Sequence, residues 1–509
     1  MNQIVSPAEL HPSPFLPAAS PSELELPRDR LVLGVQVSLS LQAAEFDYNN
    51  AARVVVSTVL GEVPVVGVLL SALVDIFWPN PQVDIWAEIE AKVEALVNQK
   101  IAERVWQQVS ESLAGLQNVL DDYLFAAKNF PDDPKYISEK FNVAQGHFLH
   151  DLPQFQSQGY ELLLLPLFAQ FANLHLGLMR DGVSFGAQWG WSPAVIARLN
   201  SQLVDAIASY GSYTDRIYTA GLEQTKAKAP SNKGKTEPFN TINRFVREMT
   251  LTVLDFRVMW QYFDVSKYPV PPQIYLDREI YSDAVGSAVD SAFGLPAVPP
   301  SAPPLRVTVW GWDRIDAIQV DYPQDGGPDR RSSTGRMGNS KGGSDAPPHG
   351  GVFDVAQNPV TLVRARTGDI LNALWFQFKN GSWSNKLGGN YPGGSDHDFS
   401  YPSEILSSIK VMGVSRFYGS ADCAVFGFKF EKNVQPSAEL LQRLFRTAPQ
   451  AVSATTMARR LGASEALVRD VAAWADQHQW EAARTHHWEQ RAVRVEQGRA
   501  NGNGGGNRN

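Results

Sequence analysis

The chain has 509 residues, of which 44% are hydrophobic and 19% are charged, and this composition is ordinary for a soluble protein of several domains. The net charge of -8 argues against a protein that binds nucleic acid through a broad basic surface. The single cysteine, Cys423, excludes an intrachain disulfide framework and a cysteine-rich zinc site. Residues 1–30 lack a basic start followed by an apolar run, so no secretory signal is predicted there.

Helical patterns fill the first half of the chain. Residues 1–46 are predicted to form a flexible leader or arm, and residues 47–268 a bundle of about seven helices. Apolar residues from Asp84 to Val105 are predicted to share one helix face, and the next helix is predicted from Leu113 to Phe130. Two further helices are predicted near the end of the bundle. The first has Ser192 as its N-cap and runs to about Thr225, and the second runs from Pro238 to Phe263.

The segment from Tyr160 to Arg180 is the most informative part of the chain. It contains one acidic residue, Glu161, and no further formal charge until Arg180. About twenty residues of helix rise about 30 Å, the thickness of the hydrocarbon core of a bilayer. A helix that is apolar on every side must be buried in protein or in lipid. Because the neighbouring helix, 136–155, is polar and amphipathic, we predict a soluble bundle that hides a segment able to enter a membrane.

Individual residues of this segment are predicted to kink the helix, to form polar core contacts or to insert into a membrane. Pro166 is expected to kink the helix or to lie near its start. Asn173 and His175 are expected to be hydrogen-bonded core residues. The apolar residues that are candidates for membrane insertion are Leu162, Leu165, Leu167, Phe168, Phe171, Leu174, Leu176 and Leu178.

The second half of the chain has short β-patterns separated by glycine-rich turns. Residues 269–304 are predicted to be a linker and residues 305–432 an all-β domain, in which Asp325–Gly351 forms a long mobile surface loop. Residues 433–490 are predicted to form a small helical C-terminal module, and residues 491–509 a disordered tail. The predicted strands are Arg306–Trp310, Ile315–Tyr322, Val360–Ala365, Ile370–Phe378, Ile405–Val411 and Ala424–Phe430.

The sequence offers no constellation of catalytic residues. It has no phosphate-binding loop, no His-Glu-x-x-His and no Gly-x-Ser-x-Gly motif, so we predict no enzyme activity, no cofactor and no metal site. The triplet Asp396-His397-Asp398 is interpreted as part of a solvated loop. Residues Ala454–Arg469 read like a helix-turn-helix, and two interpretations stay open for it. One is a small packing or oligomerisation module, with no nucleic acid expected as a partner. The other is a regulatory DNA-binding protein, for which residues 436–490 should bind duplex DNA in a salt-dependent way.

Several ordered motifs in the first half of the chain resemble a known family. The bundle resembles the N-terminal domain of the three-domain insecticidal crystal toxins, the delta-endotoxins. The matching stretches are Leu165–Asp181 for the central helix, Phe185–Gly190 for the start of the next helix, Tyr213–Asp215 and Gly221-Leu222 for its later part, Phe245–Asp255 for the last helix, and Tyr268-Pro269 with Arg278–Tyr281 for the exit into the second domain.

The resemblance implies a pore-forming domain. Its fourth and fifth helices, here 136–155 and 160–180, would insert into the target membrane as a hairpin. His147, His150 and Asp151 are candidates to line the pore, and the alternative is that they are ordinary surface residues. The partners implied are membrane lipids, a cell-surface receptor or glycan, and further copies of the chain in the pore.

The resemblance also implies a route from the producing cell to the target. The protein would be made in the cytoplasm without a standard signal peptide, as an inclusion in some cases, and would act at the target plasma membrane. Proteases would activate it by trimming the leader and the tail. The candidate cleavage sites are Arg28, Arg30, Arg443 and Arg446.

The β-domain resembles the β-prism of jacalin-like lectins and, more loosely, the second domain of the toxin family. The matching residues are Gly311, Ile315–Tyr322, His349–Gly351, Ile370–Phe378, Lys379–Gly381 and Phe426-Gly427. The sugar-binding aspartate of those lectins is absent, because Ala424 stands at its position. Asp422, two residues earlier, is a candidate to replace it as a contact for a glycan or receptor. Trp383 and Tyr391 offer aromatic faces for a glycan or receptor, or they anchor their own loops.

Two further points follow from these resemblances. The third domain of the toxin family, a β-sandwich, is not visible in the sequence, and the helical tail stands in its place. The alternative function is a carbohydrate-binding defence lectin whose helical domain is only structural.

Overall fold

A computed structural model describes residues 66–78, 85–97, 99–231, 236–268, 278–287, 300, 302–324, 326–327, 331–389, 393–402, 404–414 and 419–430. Within these ranges, a helical bundle is followed by an all-β domain. This confirms the predicted order of the two folds, whereas the predicted leader, helical C-terminal module and tail lie outside the described residues. The helices are α1 Val68–Phe77, α2 Ile85–Val97, α3 Glu103–Asn129, α4 Pro134–Asp151, α5 Glu161–Phe185, α6 Pro193–Lys228 and α7 Glu237–Met249.

Helix α5 lies at the centre of the bundle. Its residues from Leu163 to Met179 are all buried, and the leucine, phenylalanine, alanine and methionine side chains among them belong to one apolar core with residues from the other six helices. Pro166 lies inside α5, in its second turn, and so is neither its start nor its end. Ser192 caps α6 as predicted, since its hydroxyl accepts from the backbone N–H of Val195 at 3.4 Å. Long helices that pack around one buried member are the architecture that the hydrophobic pattern predicts.

The boundary between α2 and α3 lies earlier than the sequence suggests. Instead of running on to Val105, α2 ends at Val97, and α3 begins at Glu103 rather than near Leu113. The Glu94 carboxylate accepts from the backbone N–H of Ile101 at 2.7 Å, and this bond stabilises the turn between the two helices. Hydrophobic spacing missed the break because Ile101 remains buried after it.

The last helix is less regular than predicted. After α7, the chain continues through a π-helical turn, Thr250–Leu254, a short α-helical turn, Asp255–Arg257, and a 3-10 turn, Trp260–Phe263. The buried side chains of these turns, among them Phe256 and Trp260, still pack in the bundle core. These side chains are therefore buried although the helix is not uniform.

The described residues of the β-domain form three four-stranded antiparallel sheets that share one core. The sheet orders are β1-β12-β11 with β2 also paired to β12, β10-β7-β8-β9, and β5-β4-β3-β6. Side chains from all three sheets meet in the same apolar cluster, which is the arrangement of a β-prism. The strands are β1 Ile280–Tyr281, β2 Val285–Gly286, β3 Arg306–Gly311, β4 Ile315–Asp321, β5 Met337–Gly338, β6 Gly351–Asp354, β7 Val360–Thr367, β8 Leu371–Phe378, β9 Leu387–Gly388, β10 Ser395–Phe399, β11 Glu404–Val414 and β12 Ala421–Phe430.

Three predicted irregular segments contain strands. Strands β1 and β2 lie inside the predicted linker 269–304 and pair with β12, so the β-domain begins before residue 305. Residues 396–398 are part of β10 rather than of a solvated loop. The described part of the predicted loop 325–351 includes β5 and is attached to the β3–β4 hairpin by backbone hydrogen bonds. Two-residue strands are too short for alternation to be visible in the sequence.

Helix α7 packs against strands β1 and β2 through polar contacts. The Asn240 side chain donates to the carbonyl of Ala284 and accepts from its N–H, at 3.0 and 2.7 Å. Both Arg244 and Arg247 form ion pairs with Asp283, at 2.6 and 3.1 Å. The bundle and the β-domain are therefore joined by directional bonds as well as by apolar packing.

A second junction is centred on Arg278. Its guanidinium makes a two-nitrogen contact with Asp255 of the bundle, and another nitrogen lies 2.7 Å from a Glu404 carboxylate oxygen at the start of β11. Arg278 also stacks over the ring of Phe430, 4.5 Å from its centroid. The two acids are almost fully buried. One cation thus compensates two buried carboxylates that come from the two domains.

Candidate functional site

The α4–α5 hairpin is built by local capping and by a tight connection. Asp133 caps α4 by accepting from the N–H of Tyr136 at 3.1 Å, and Pro134 fits the first turn. After α4, a 3-10 turn, Leu152–Gln156, leads to Gly159, whose φ of 84° suits glycine. The backbone N–H of Gly159 donates to the Glu161 carboxylate at 2.7 Å. These contacts set two helices side by side with a short connection between them.

Within the described ranges, α5 is the one helix long and apolar enough to cross a membrane. A buried core helix of a soluble protein can have the same length and composition. Of the eight candidate insertion residues, seven are fully buried and Leu162 is half-buried. Aromatic packing fixes the middle of the helix, where Phe168 meets Tyr213 at 4.6 Å and Phe171 meets Phe155 at 4.5 Å between ring centroids.

The polar residues of α5 are hydrogen-bonded inside the bundle. Asn173 donates to the Gln170 side chain at 2.9 Å and accepts from the indole N–H of Trp260 at 2.8 Å. His175 Nδ1 lies 2.6 Å from the Tyr210 hydroxyl oxygen, and the imidazole stacks on Phe148. The prediction that Asn173 and His175 are polar core contacts is confirmed.

The C-terminal end of α5 is attached to its neighbours by two charged residues. Arg180 donates to the backbone carbonyl of Tyr262 at 2.9 Å. The Asp181 carboxylate accepts from the Tyr123 hydroxyl on α3 and from the N–H of Gly67 just before α1, both at 2.9 Å. Asp181 was not predicted to be a functional residue. Its one signal in the sequence is that an acidic residue follows the apolar run.

The pore-lining candidates on α4 do not share one environment. His147 and His150 are exposed on the outer side of the bundle. Asp151 is buried, and its carboxylate lies 2.7 Å from His150 Nδ1. The inner side of the same helix buries Ile137, Phe141, Ala144 and Phe148 against the bundle core. In the closed bundle, therefore, two of the three candidates face water and Asp151 does not.

The sequence of the bundle is similar to that of known proteins. Residues 55–264 match the family described as delta endotoxin, N-terminal domain. The chain is 33% identical over 248 residues to the pesticidal crystal protein Cry26Aa of Bacillus thuringiensis subsp. finitimus, covering 47% of this chain and 21% of that protein. It is 31% identical over 260 residues to Cry1Gb of Bacillus thuringiensis subsp. wuhanensis, covering 50% and 21%. Residues 55–264 are a delta endotoxin N-terminal domain.

The sequence similarity covers only part of the length of these relatives. The chain spans about a fifth of the length of the two crystal proteins that it matches. A crystal structure of the insecticidal crystal protein Cry7Ca1 of Bacillus thuringiensis superposes with a TM-score of 0.63 at 21% identity, covering 77% of this chain and 76% of that chain. This similarity extends the shared fold beyond the endotoxin domain into the β-domain.

The candidate receptor residues of the β-domain lie in different sheets. Trp383 follows β8, is 42% exposed, and has the Arg364 guanidinium 5.2 Å from its ring centroid. Asp422 lies on β12, half-buried, and accepts from the Ser420 hydroxyl at 2.9 Å. Tyr391 is outside the described residues, as are the four candidate cleavage sites. Trp383 and Asp422 therefore belong to two different sheets of the β-domain.

A charged ladder beside Trp383 was missed in the sequence. Arg364 and Arg366 on β7 make two-nitrogen contacts with Asp398 and Asp396 on β10, at 2.7 to 2.9 Å. The alternating Arg-x-Arg and Asp-x-Asp patterns are the signal that could have identified these facing strands. The acids were instead interpreted as a solvated loop because glycines and serines surround them.

Proposed function

We propose that this protein is a pore-forming toxin of the insecticidal type, in which α4 and α5 leave the bundle as a hairpin and insert into the target membrane. The observation that carries the proposal is the combination of length and burial in α5. Its 25 residues correspond to about 37 Å of helix, more than the roughly 30 Å of hydrocarbon in a bilayer. An amphipathic bundle covers this apolar surface in water.

The energetics of transfer support the same step. An apolar helix that exchanges a protein core for lipid loses little transfer free energy, because both environments exclude water. Its backbone hydrogen bonds stay internal, as a bilayer requires. The Asn173–Gln170 hydrogen bond lies within α5 and moves with it. Helix α4 supplies the polar partner, with His147 and His150 directed to the water-filled side of the pore.

Before insertion, the protein would be activated by proteolysis and would assemble with further copies of itself. Proteases would trim the leader after Arg28 or Arg30 and the tail after Arg443 or Arg446, and several copies would then form the pore. The protein would act at the surface of the target cell.

Insertion is expected to place the end of α4 near the turn in contact with lipid. The native Cys423 is buried, so a single surface cysteine can be labelled selectively. We expect a dye on Leu149→Cys, 57% exposed near the end of α4, to be quenched by nitroxide groups on lipid acyl chains after trypsin treatment. The same samples should release a trapped dye from liposomes. A dye on Val352→Cys, 52% exposed on β6, serves as the matched control and should not be quenched.

The outcomes separate the two functions considered for the chain. Trimmed, folded protein that releases no dye and shows no quenching at Leu149→Cys would contradict pore formation. If such a protein bound strongly to a glycan array, the lectin function would replace it. Equal quenching at both positions would indicate non-specific adsorption and would also contradict hairpin insertion.

The β-domain is proposed to dock on a receptor or glycan of the target cell, with Trp383, Tyr391 and Asp422 as candidate contacts. The exposed face of Trp383 supports this, because aromatic rings stack on sugars and anchor protein contacts. Trp383→Ala is expected to reduce binding to target-cell membrane vesicles by about tenfold or more, as for an interface hot spot. Dye release from protein-free liposomes should stay unchanged. Equal binding of the variant and the wild type to the vesicles would exclude Trp383 as a contact.

A further inference from the structure

Asp181 connects three helices at the C-terminal end of α5. It lies one residue beyond the segment 160–180 proposed to insert, and it is 6% exposed. One carboxylate oxygen accepts both from the Tyr123 hydroxyl on α3 and from the N–H of Gly67 before α1. The approach at Gly67 is close, since an added Cβ would lie 2.8 Å from Leu124. The contact therefore holds α5 to two helices that lie outside the proposed hairpin.

The surroundings of this carboxyl favour its neutral form. Burial raises the pKa of Asp181 to about 7, although the Tyr123 hydroxyl, the Gly67 amide and the Arg180 guanidinium oppose the shift. Burial and the nearby Asp181 raise the pKa of Tyr123 well above its ordinary value, so Tyr123 stays neutral. Arg180 is directed to the Tyr262 carbonyl. Among the described residues, Tyr123 and Arg180 are the titratable groups that act on Asp181.

The direction of the pH effect follows from proton linkage. An unfolded aspartate ionises near its ordinary pKa of 3.8, whereas this one ionises near 7 in the closed bundle. Between these values the closed bundle binds the proton more tightly than the opened chain does. Its stability therefore falls as the pH rises from about 4 to about 7, and levels off above that range.

We propose that Asp181 is a proton-controlled latch that holds the C-terminal end of α5 to α1 and α3, and that loss of its proton loosens the bundle so that α5 can leave. This inference rests on the proposed pore function for its purpose. The opening itself is a property of the closed bundle in water and can be measured without a membrane. Asp181 thus acts by positioning α5, because it is buried between the helices of the bundle.

Asp181→Asn tests the latch because the amide keeps an acceptor oxygen and does not titrate. Hydrogen exchange of the α5 amides is measured on the full chain at about pH 5.5 and about pH 8.5, on either side of the midpoint, and divided by the intrinsic rate at each pH. For the wild type, we expect the opening equilibrium to increase by about tenfold or more. For Asp181→Asn, it should be nearly independent of pH. Asp205→Asn, at an exposed position on α6, is the control and should behave as the wild type.

A second variant covers the case in which Asp181→Asn does not fold. Tyr123→Phe removes one donor to the carboxylate, so the midpoint of the pH profile should move upward. An unchanged midpoint in Tyr123→Phe, or a wild-type profile in Asp181→Asn, would overturn the latch.

Dye release separates this inference from the proposed function. If trimmed wild type releases more dye as the pH rises through about 7 and Asp181→Asn does not, the latch controls insertion. If both release dye with the same pH profile, the latch fails and the pore function stands. If neither releases dye at any pH while exchange follows the expected pattern, the pore function fails and the latch controls only the opening of the bundle.

Discussion

Arg278→Met is expected to lower the free energy of unfolding by about 3–5 kcal/mol, the usual cost of leaving buried charges without their partner. The substitution keeps most of the apolar stem but removes the cation between Asp255 and Glu404, both of them buried. The two domains would then meet at two buried carboxylates that have lost this cation. The loss should appear in urea unfolding followed by near-ultraviolet circular dichroism.

Two control variants test whether the loss of stability comes from the buried charges. Adding Asp255→Asn and Glu404→Gln to Arg278→Met should recover most of the lost stability, because neutral groups no longer require a counter-ion. Arg364→Met removes an ion pair that is largely open to solvent and should change the stability little. If Arg278→Met and Arg364→Met have equal effects, the buried junction does not hold the domains together as described.

Phe168→Ala is expected to destabilise the bundle by about 3–5 kcal/mol, as is usual when a fully buried aromatic ring is truncated. The Phe168 ring lies in the middle of α5 and contacts Tyr210, Tyr213 and Trp260 at centroid distances of 5.4, 4.6 and 6.4 Å. Its removal leaves a cavity between α5 and α6 that rigid helices cannot close. Urea unfolding followed by far-ultraviolet circular dichroism measures the loss.

Phe125→Ala provides the matched control for that substitution. Phe125 has the same side chain in the same bundle but is 56% exposed on α3. Its truncation should cost a small part of the loss at Phe168, since most of its surface already contacts water. A similar loss at the two positions would show that burial of α5 does not dominate the stability of the bundle.

Periodicity and apolar length predicted much of the helical architecture. The run from Tyr160 to Arg180 has so little charge that only a buried position suits it in water, and α5 lies where that argument places it. The cap at Ser192 depends on neighbours in sequence, so it was also predictable. The break between α2 and α3 was not, because the Glu94 side chain that stabilises it acts across seven residues without changing the hydrophobic pattern.

The candidate sites, too, were predictable from the sequence only in part. Side-chain chemistry identified His147 and His150, and the helical pattern gave their helix. The burial of Asp151 depends on which side of α4 meets the bundle, because Asp151 lies three residues after the buried Phe148 and so on the same side of the helix. The Arg–Asp ladder of β7 and β10 depends on the pairing of two strands about thirty residues apart.

One unusually apolar helix within a bundle, and the short strands that follow it, can be recognised from the amino-acid pattern alone. These properties are local, since they come from composition and from the 3.6-residue and two-residue periods. The pairing of Arg278 with two acids from different domains, and the contacts of Asp181 with Gly67 before α1 and Tyr123 on α3, become visible in the folded protein. Such partners lie far apart along the chain. Their ionisation and bonding depend on burial, which is a property of the whole fold.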